Sequence, residues 1–198
     1  MKDTQIEIVV RDGVYPPSED SFLLIDSIEI KPDDVVIEVG CGTGIVSLHA
    51  ARIAKHVVLV DVSLEAIQNA RENVYLNGLS HKCSLVQASL MSSFQDLLLP
   101  TVIIFNPPYL PDDNQSSESD IATIGGKRGH ELSIQLLEQL VTYQGRIYLV
   151  LSSLGNPESI KSKLTGIGFE IKVVSKKRMF FEELEIVRGI RGPKESVL

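Results

Sequence analysis

The stretch Glu38-Val39-Gly40-Cys41-Gly42-Thr43-Gly44 decides the fold of this chain. It follows the apolar run Val35–Val39, which is typical of a buried strand, and it precedes a helical pattern over residues 45–53. Glycines allow a tight turn and let the backbone approach a ligand closely. A strand, a glycine-rich loop and a helix in this order predict a ligand site at the carboxyl edge of an open α/β sheet.

Strand-like and helical patterns alternate along the rest of the chain. The other strands are predicted over residues 57–60, 84–87, 102–105, 147–151, 169–174 and 184–187, and the other helices over 18–28, 64–76, 131–141 and 157–164. This alternation predicts βαβ units and a mostly parallel sheet with helices on both faces. Only residues 175–183 separate the last two strands, which is too few for a crossover helix, so an antiparallel hairpin is expected there. The expected fold is α/β, a single domain over residues 1–198 with a seven-stranded, mostly parallel sheet.

Composition places the chain among cytoplasmic globular proteins. It has 198 residues, of which 43% are hydrophobic and 23% charged. No apolar run approaches the roughly 20 residues that span a bilayer, and residues 1–5 lack the apolar core of a signal peptide. The two cysteines, Cys41 and Cys83, make no disulfide framework. The four histidines form no metal-binding motif, so neither a metal nor a membrane is expected.

Charge is distributed unevenly along the chain, whose net charge is −7. Residues 1–144 hold 9 Lys and Arg against 20 Asp and Glu, and residues 145–198 hold 10 against 6. The part expected to hold the site is therefore acidic. This argues modestly against a nucleic-acid substrate without excluding one, because an average can hide a basic patch. The basic run 176–178 suits either an acidic partner, ribosomal RNA or a solvated face.

A second motif, Asn106-Pro107-Pro108-Tyr109, follows the predicted strand Val102–Phe105. Two prolines hold a bend and leave backbone carbonyls unpaired by the sheet. The Asn side chain and those carbonyls can accept both hydrogens of a planar –NH2 group, and the Tyr ring can lie on its flat face. These four residues are the catalytic candidates, with an ordinary strand exit as the alternative.

Two acidic residues suggest what the glycine loop binds. Glu38 precedes the loop, and Asp61 ends the next predicted strand, where an acid can accept hydrogen bonds from both ribose hydroxyls. The third glycine departs from the dinucleotide spacing, so the pattern favours S-adenosylmethionine over a dinucleotide. Asp61 could instead cap the following helix, although Ser63 could do so too. Cys41 is interpreted as a small residue in a tight turn rather than a nucleophile.

Four segments together resemble the HemK-type amino methyltransferases, most closely the short archaeal and eukaryotic release-factor glutamine methyltransferases. They are residues 14–21 (VYPPSEDS), 38–44 (EVGCGTG), 106–109 (NPPY) and 125–131 (GGKRGHE). The third segment alone is shared with adenine amino methyltransferases of DNA and RNA. The resemblance covers nearly the whole chain and implies a Rossmann-like class I methyltransferase fold.

The resemblance also implies the residues that contact the methyl donor. Near its methionine and ribose they would be Tyr15, Glu19, Ser21, Glu38, Gly40, Cys41, Gly42, Gly44, Asp61 and Asn106. Near its adenine they would be Val62, Ser89 and Leu90. Ser89 stands where the family usually has Asp, which removes a charge from the adenine contact. Residues 1–30 would cover the donor, and residues 110–129 would form a substrate loop, with a disordered insertion as the alternative.

The expected reaction is methyl transfer to the glutamine of the Gly-Gly-Gln tip of a class 1 translation release factor. The alternatives are an adenine N6-methyltransferase acting on DNA or RNA and a cofactor-binding subunit without catalysis. His49 and His130 are candidate bases by residue type only. The resemblance further implies a small zinc-binding activator protein as a partner.

Overall fold

The computed structural model describes residues 6–94, 100–110 and 127–192. Within these ranges the strands are β1 (Val35–Val39), β2 (His56–Asp61), β3 (Cys83–Gln87), β4 (Val102–Phe105), β5 (Gly145–Ser152), β6 (Glu170–Arg178) and β7 (Glu183–Arg191). The helices are α1 (Glu19–Ser27), α2 (Ile45–Ala51), α3 (Leu64–Leu76), α4 (Glu131–Gln139) and α5 (Pro157–Gly166). No helix among the described residues is long and apolar enough to cross a membrane.

The seven strands form one sheet in the order β3-β2-β1-β4-β5-β7-β6. The first five strands are parallel, and β7 runs antiparallel to both β5 and β6. This confirms the predicted α/β fold with its mostly parallel sheet and terminal antiparallel hairpin. The strand order places the carboxyl ends of β1 and β4 side by side, and thereby the two motifs that follow them.

Side chains alternate between the two faces of the sheet, as strand geometry requires. On β1, Val36 belongs to a core that includes residues of α1, α2 and α3, whereas Ile37 and Val39 belong to a core that includes residues of α4 and α5. Both cores are fully enclosed, so the strands read as continuous apolar runs rather than as alternating ones. Burial on both faces explains why β1 and β4 have the bounds that their apolar runs predict.

β6 is longer than the prediction, which ended it at residue 174. It continues through the basic run to Arg178 and pairs there with Glu183 of β7. β6 is an edge strand with a largely exposed surface, so charged residues extend it at little cost and also protect the edge. The basic run is therefore part of the sheet.

Candidate active site

A cavity of about 830 Å³ lies where the parallel strands end. Its walls come from the residues that follow β1, β2, β3 and β4 and from the amino-terminal segment before α1. The predicted site residues that line it are Tyr15, Ser21, Glu38, Gly40, Cys41, Gly42, Asp61, Val62, Ser89, Leu90, Asn106, Pro107, Pro108 and Tyr109. The size suits a cofactor-sized ligand.

Two predicted donor contacts, Glu19 and Gly44, do not line this cavity. Glu19 points outward and pairs with Lys177 of β6. Gly44 lies behind the loop, where an added Cβ would stand 2.9 Å from the Leu59 side chain and 3.3 Å from that of Ala70. Its φ of 79° and this close approach make Gly44 a packing residue that seats the loop against β2 and α3.

Asp61 is oriented by two backbone donors. Its Oδ2 accepts from the Gly42 N–H at 3.0 Å, and its Oδ1 accepts from the Ser63 N–H at 2.9 Å. Ser63 is the N-cap of α3 and accepts from the Ala66 N–H at 3.1 Å, so the helix cap is Ser63 and not Asp61. Each carboxylate oxygen keeps a free lone pair, which leaves Asp61 able to accept from a vicinal diol.

Glu38 is completely enclosed beneath the glycine loop. Burial raises its pKa to about 8, against the opposing effect of hydrogen bonds from the Ser47 N–H and hydroxyl, while Asp61 adds a smaller rise. Burial, with smaller contributions from Glu38 and Asp61, also raises the pKa of the Cys41 thiol well above its usual range. A thiol so far from ionisation is a poor nucleophile, which agrees with its interpretation as a small turn residue.

The described lining of the cavity carries one sign of charge. It includes the acids Asp20, Asp61 and Glu182, and it contains no Lys, Arg or His. Glu38 also lines the cavity, but its raised pKa keeps it largely protonated and uncharged near neutral pH. Acids gathered in a confined, partly desolvated space attract a cation and repel a phosphate. The cavity therefore suits a positively charged ligand such as a sulfonium, and it is poorly suited to a dinucleotide.

Asp20 lines the cavity and was not among the predicted site residues. It is buried, and its Oδ2 accepts from the Tyr15 hydroxyl at 3.2 Å and from the Tyr109 hydroxyl at 3.4 Å. Its Oδ1 accepts from the Ser21 N–H at 2.6 Å. Burial, reinforced by the nearby Asp20 carboxylate, raises the pKa of Tyr15 to about 12 and raises the pKa of Tyr109 still more. Both hydroxyls therefore stay protonated and can donate to Asp20. Asp20 thus joins the amino-terminal segment to the Asn-Pro-Pro-Tyr motif.

Asn106 carries a buried acceptor without a partner. Among the described residues, no donor reaches its Oδ1. A buried polar atom left unpaired costs about 1–3 kcal/mol, and a ligand that donates to the atom would recover this cost. Asn106 itself lies at the exit of β4, beside the glycine loop, and lines the same cavity as Asp61.

Two glycines hold the backbone of Tyr109. A Cβ on Gly129 would stand 2.2 Å from the Tyr109 carbonyl oxygen, and one on Gly155 would stand 2.9 Å from it. Gly129 also has a φ of 77°, which disfavours any other residue. Glu131 accepts from the N–H groups of Arg128 and His130 and so stabilises the turn that contains Gly129. Residues 127–131 therefore pack against the Asn-Pro-Pro-Tyr motif and support its backbone.

Three asparagines on α3 hold the amino-terminal segment. Asn69, Asn73 and Asn77 are spaced four residues apart, so they lie on one helix face. Asn73 accepts from the Val9 N–H at 2.8 Å and donates to the carbonyls of Val9 and Thr43, each at 2.9 Å. One side chain thereby links the amino-terminal segment to the glycine loop. The four-residue spacing is visible in the sequence and could have revealed this contact.

The two candidate histidines do not line the cavity. His49 lies on α2, and His130 is buried at the start of α4. Most of the predicted substrate loop, residues 111–126, lies outside the described residues. The described residues therefore place no histidine where it could act as a base.

A family model described as the methyltransferase small domain matches residues 6–163. The chain belongs to this family. A candidate protein N5-glutamine methyltransferase of Methanocaldococcus jannaschii is 33% identical over 194 residues, which cover 94% of this chain and 96% of the relative. The eRF1 methyltransferase catalytic subunit of Schizosaccharomyces pombe is 27% identical and covers 95% of this chain and 94% of its own length.

A solved structure gives the same fold. The E. cuniculi Mtq2–Trm112 complex, responsible for the methylation of the eRF1 translation termination factor, contains a chain that aligns with a TM-score of 0.73 at 22% identity. The alignment covers 91% of this chain and 99% of that one. Family and fold together make this methyltransferase an enzyme that uses S-adenosylmethionine, as the glycine loop and Asp61 predicted.

The lining of the cavity has groups that match each part of S-adenosylmethionine. Asp61 offers acceptors for a ribose diol, and the acidic lining matches the positive sulfonium and ammonium groups. Val62, which is 68% exposed at the end of β2, offers an apolar surface to the adenine ring. These residues fit the group that the family implies.

Replacing Asp20 by Asn should lower kcat/KM about tenfold, because the amide has one acceptor oxygen and cannot accept from both the tyrosine hydroxyls and the Ser21 N–H as the carboxylate does. Steady-state kinetics with varied methyl donor would measure this loss. Glu19→Gln is the matched control, since the neighbouring acid faces outward to Lys177 in an exposed pair. A Glu19 variant as impaired as the Asp20 variant would contradict the assignment.

Proposed function

We propose that the enzyme methylates the side-chain nitrogen of the glutamine in the Gly-Gly-Gln tip of a class 1 translation release factor. The observation that supports this proposal is that Asn106 lines the acidic cavity and that its buried Oδ1 has no partner among the described residues. The relatives named for N5-glutamine and eRF1 methylation supply the substrate class. The methyl acceptor and the methyl donor would then meet where β1 and β4 end.

In the proposed mechanism, positioning supplies most of the rate. S-adenosylmethionine supplies an electrophilic methyl group when it is bound. Asn106 Oδ1 and the Pro107 carbonyl accept the two N–H bonds of the substrate amide and hold its nitrogen in line for attack. These acceptors also favour the positive charge that develops on nitrogen as its bond to the methyl carbon forms and the bond from that carbon to sulfur breaks. The methylated nitrogen then loses one proton to water. Tyr109, whose hydroxyl is anchored by Asp20, packs on the amide plane.

The acid-lined cavity favours the protein substrate over the adenine alternative. A nucleotide acceptor brings phosphates close to Asp20 and Glu182, and the described lining offers no basic side chain to neutralise them. A glutamine amide carries no charge and meets no such repulsion. We therefore place an uncharged carboxamide in the site.

We also propose that a small zinc-binding partner subunit assists this enzyme. The solved complex that shares its fold pairs a methyltransferase chain with a second protein, Trm112. Co-purification of this chain with the corresponding small protein, followed by zinc analysis of the complex, would test the assignment.

A labelled-methyl transfer assay tests the function directly. The enzyme, with and without the small partner, would be offered a release factor, the same factor with the tip Gln changed to Ala, and mixed DNA and RNA. We expect label on the release factor that disappears with the Gln change. Label confined to nucleic acid would contradict the proposal and support an adenine acceptor.

A further inference from the structure

The tip of the β6–β7 hairpin exposes two adjacent aromatic side chains. Phe180 is 99% exposed and Phe181 is 91% exposed, and their ring centroids lie 6.2 Å apart. Tight turns favour Gly, Pro, Asn, Asp and Ser, so turn geometry does not require phenylalanine here. Neither ring contributes to the cores of the fold. Two aromatics presented to solvent side by side are typical of an interaction surface.

The turn that presents these rings is firmly held. The Met179 N–H donates to the Glu182 carbonyl at 2.8 Å and closes the turn. Ser153 and Glu183 exchange hydrogen bonds through a backbone pair at 2.9 Å and a hydroxyl contact at 3.0 Å. The hairpin is further joined to α1 through the Lys177–Glu19 pair. A surface held this way loses little entropy when a partner binds it.

The hairpin tip is continuous with the catalytic cavity. Glu182, the residue after Phe181, lines that cavity, and its carboxylate accepts from the Ser152 hydroxyl at 2.7 Å. Glu182 also contributes to the raised pKa of Tyr109. Adjacent Cα atoms are about 3.8 Å apart, so the aromatic tip begins within one residue of the cavity wall. A protein that inserts a side chain into the cavity would therefore come close to this tip.

We propose that Phe180 and Phe181 form a docking surface for the acceptor protein, which is the protein whose glutamine receives the methyl group. The two rings would contact an apolar patch of that protein beside its glutamine-bearing loop. This inference rests on the proposed function and deepens it, because the enzyme would recognise the folded release factor outside its Gly-Gly-Gln tip as well as at the tip. The acceptor protein is the occupant because the tip adjoins the cavity that its side chain must enter. Aromatic anchors at the rim of such a site contribute binding energy outside the reacting group.

The test is kinetic and uses the full-length enzyme, with its small partner where activity requires it. Phe180→Ser and Phe181→Ser together should raise KM for the whole release factor about tenfold or more and leave kcat and the donor Kd unchanged. Because both rings are exposed, the double variant should keep its melting temperature. Phe180→Leu with Phe181→Leu retains an apolar tip and should recover most of the loss.

Val141→Ser provides the matched control. Val141 is 49% exposed and follows α4, and its carbonyl accepts from Arg191, which pairs with Gly145 at the start of β5. It therefore lies at the end of the sheet where the parallel strands begin, away from the cavity at their carboxyl ends. This variant should leave KM unchanged. An unchanged KM in the Phe180 and Phe181 double variant would overturn the docking inference while the proposed function stands, and so would a loss confined to self-association or to binding of the small partner. A wild-type enzyme that labels no release factor would overturn both.

Discussion

Replacing Asn106 by Ala is expected to lower kcat for methyl transfer on the order of 10³-fold, because it removes the acceptor that holds and stabilises the reacting amide. The buried Oδ1 lacks a partner among the described residues, so the loss should appear in transfer rather than in folding. Donor affinity should fall by less than about tenfold, since Asp61 and the glycine loop remain. Single-turnover rates and donor titration would separate the two effects.

Two further variants test whether the loss comes from the Asn106 side chain itself. Asn106→Asp keeps an oxygen acceptor but places a charge beside the donor site, so partial activity is expected. Gln144→Ala removes an exposed carboxamide just before β5, at the end of that strand away from the cavity. This variant should leave kcat and donor affinity unchanged. Substantial turnover by the Asn106→Ala enzyme would refute the role assigned to this side chain.

Replacing Asp61 by Ala should weaken S-adenosylmethionine binding about 100-fold, or ~2.7 kcal/mol, because two charge-assisted hydrogen bonds to the ribose are lost. At saturating donor, kcat should change little, since Asp61 does not contact the acceptor. Calorimetric titration of the donor measures the first quantity, and transfer assays at high donor concentration measure the second.

Asp61→Asn separates ribose binding from loop support. The Asn oxygen can still accept from either Gly42 or Ser63, so an intermediate loss of affinity is expected. Asp33→Ala removes an exposed acid just before β1 and serves as the control for net charge. Unchanged donor affinity in Asp61→Ala would exclude this residue from the site.

The buried strands could be predicted from the sequence because both of their faces are enclosed. β1 and β4 have the predicted bounds, since an apolar run ends where burial ends. β6 could not be bounded in the same way. Its end is set by pairing with β7 and not by burial, so the charged residues 176–178 obscured it.

The candidate site was predictable where its residues are close in sequence. The glycine loop and the Asn-Pro-Pro-Tyr motif each follow one strand, so their positions came with the strands. Asp20 was missed in favour of Glu19, because only the rotation of α1 decides which acid faces inward. Glu182 was missed because it reaches the cavity through the hairpin, a tertiary contact with no local signal.

The position of β7 matters for how this protein is made. β7 is synthesised after β6, yet it lies between β5 and β6 in the sheet. A nascent chain that has reached only β6 therefore leaves the edge of β5 unpaired, and residues 147–151 of that strand are essentially fully buried in the finished fold. An apolar strand with an open edge is a template for pairing with another chain. Products that stop short of β7 should therefore aggregate rather than persist as partly active enzyme.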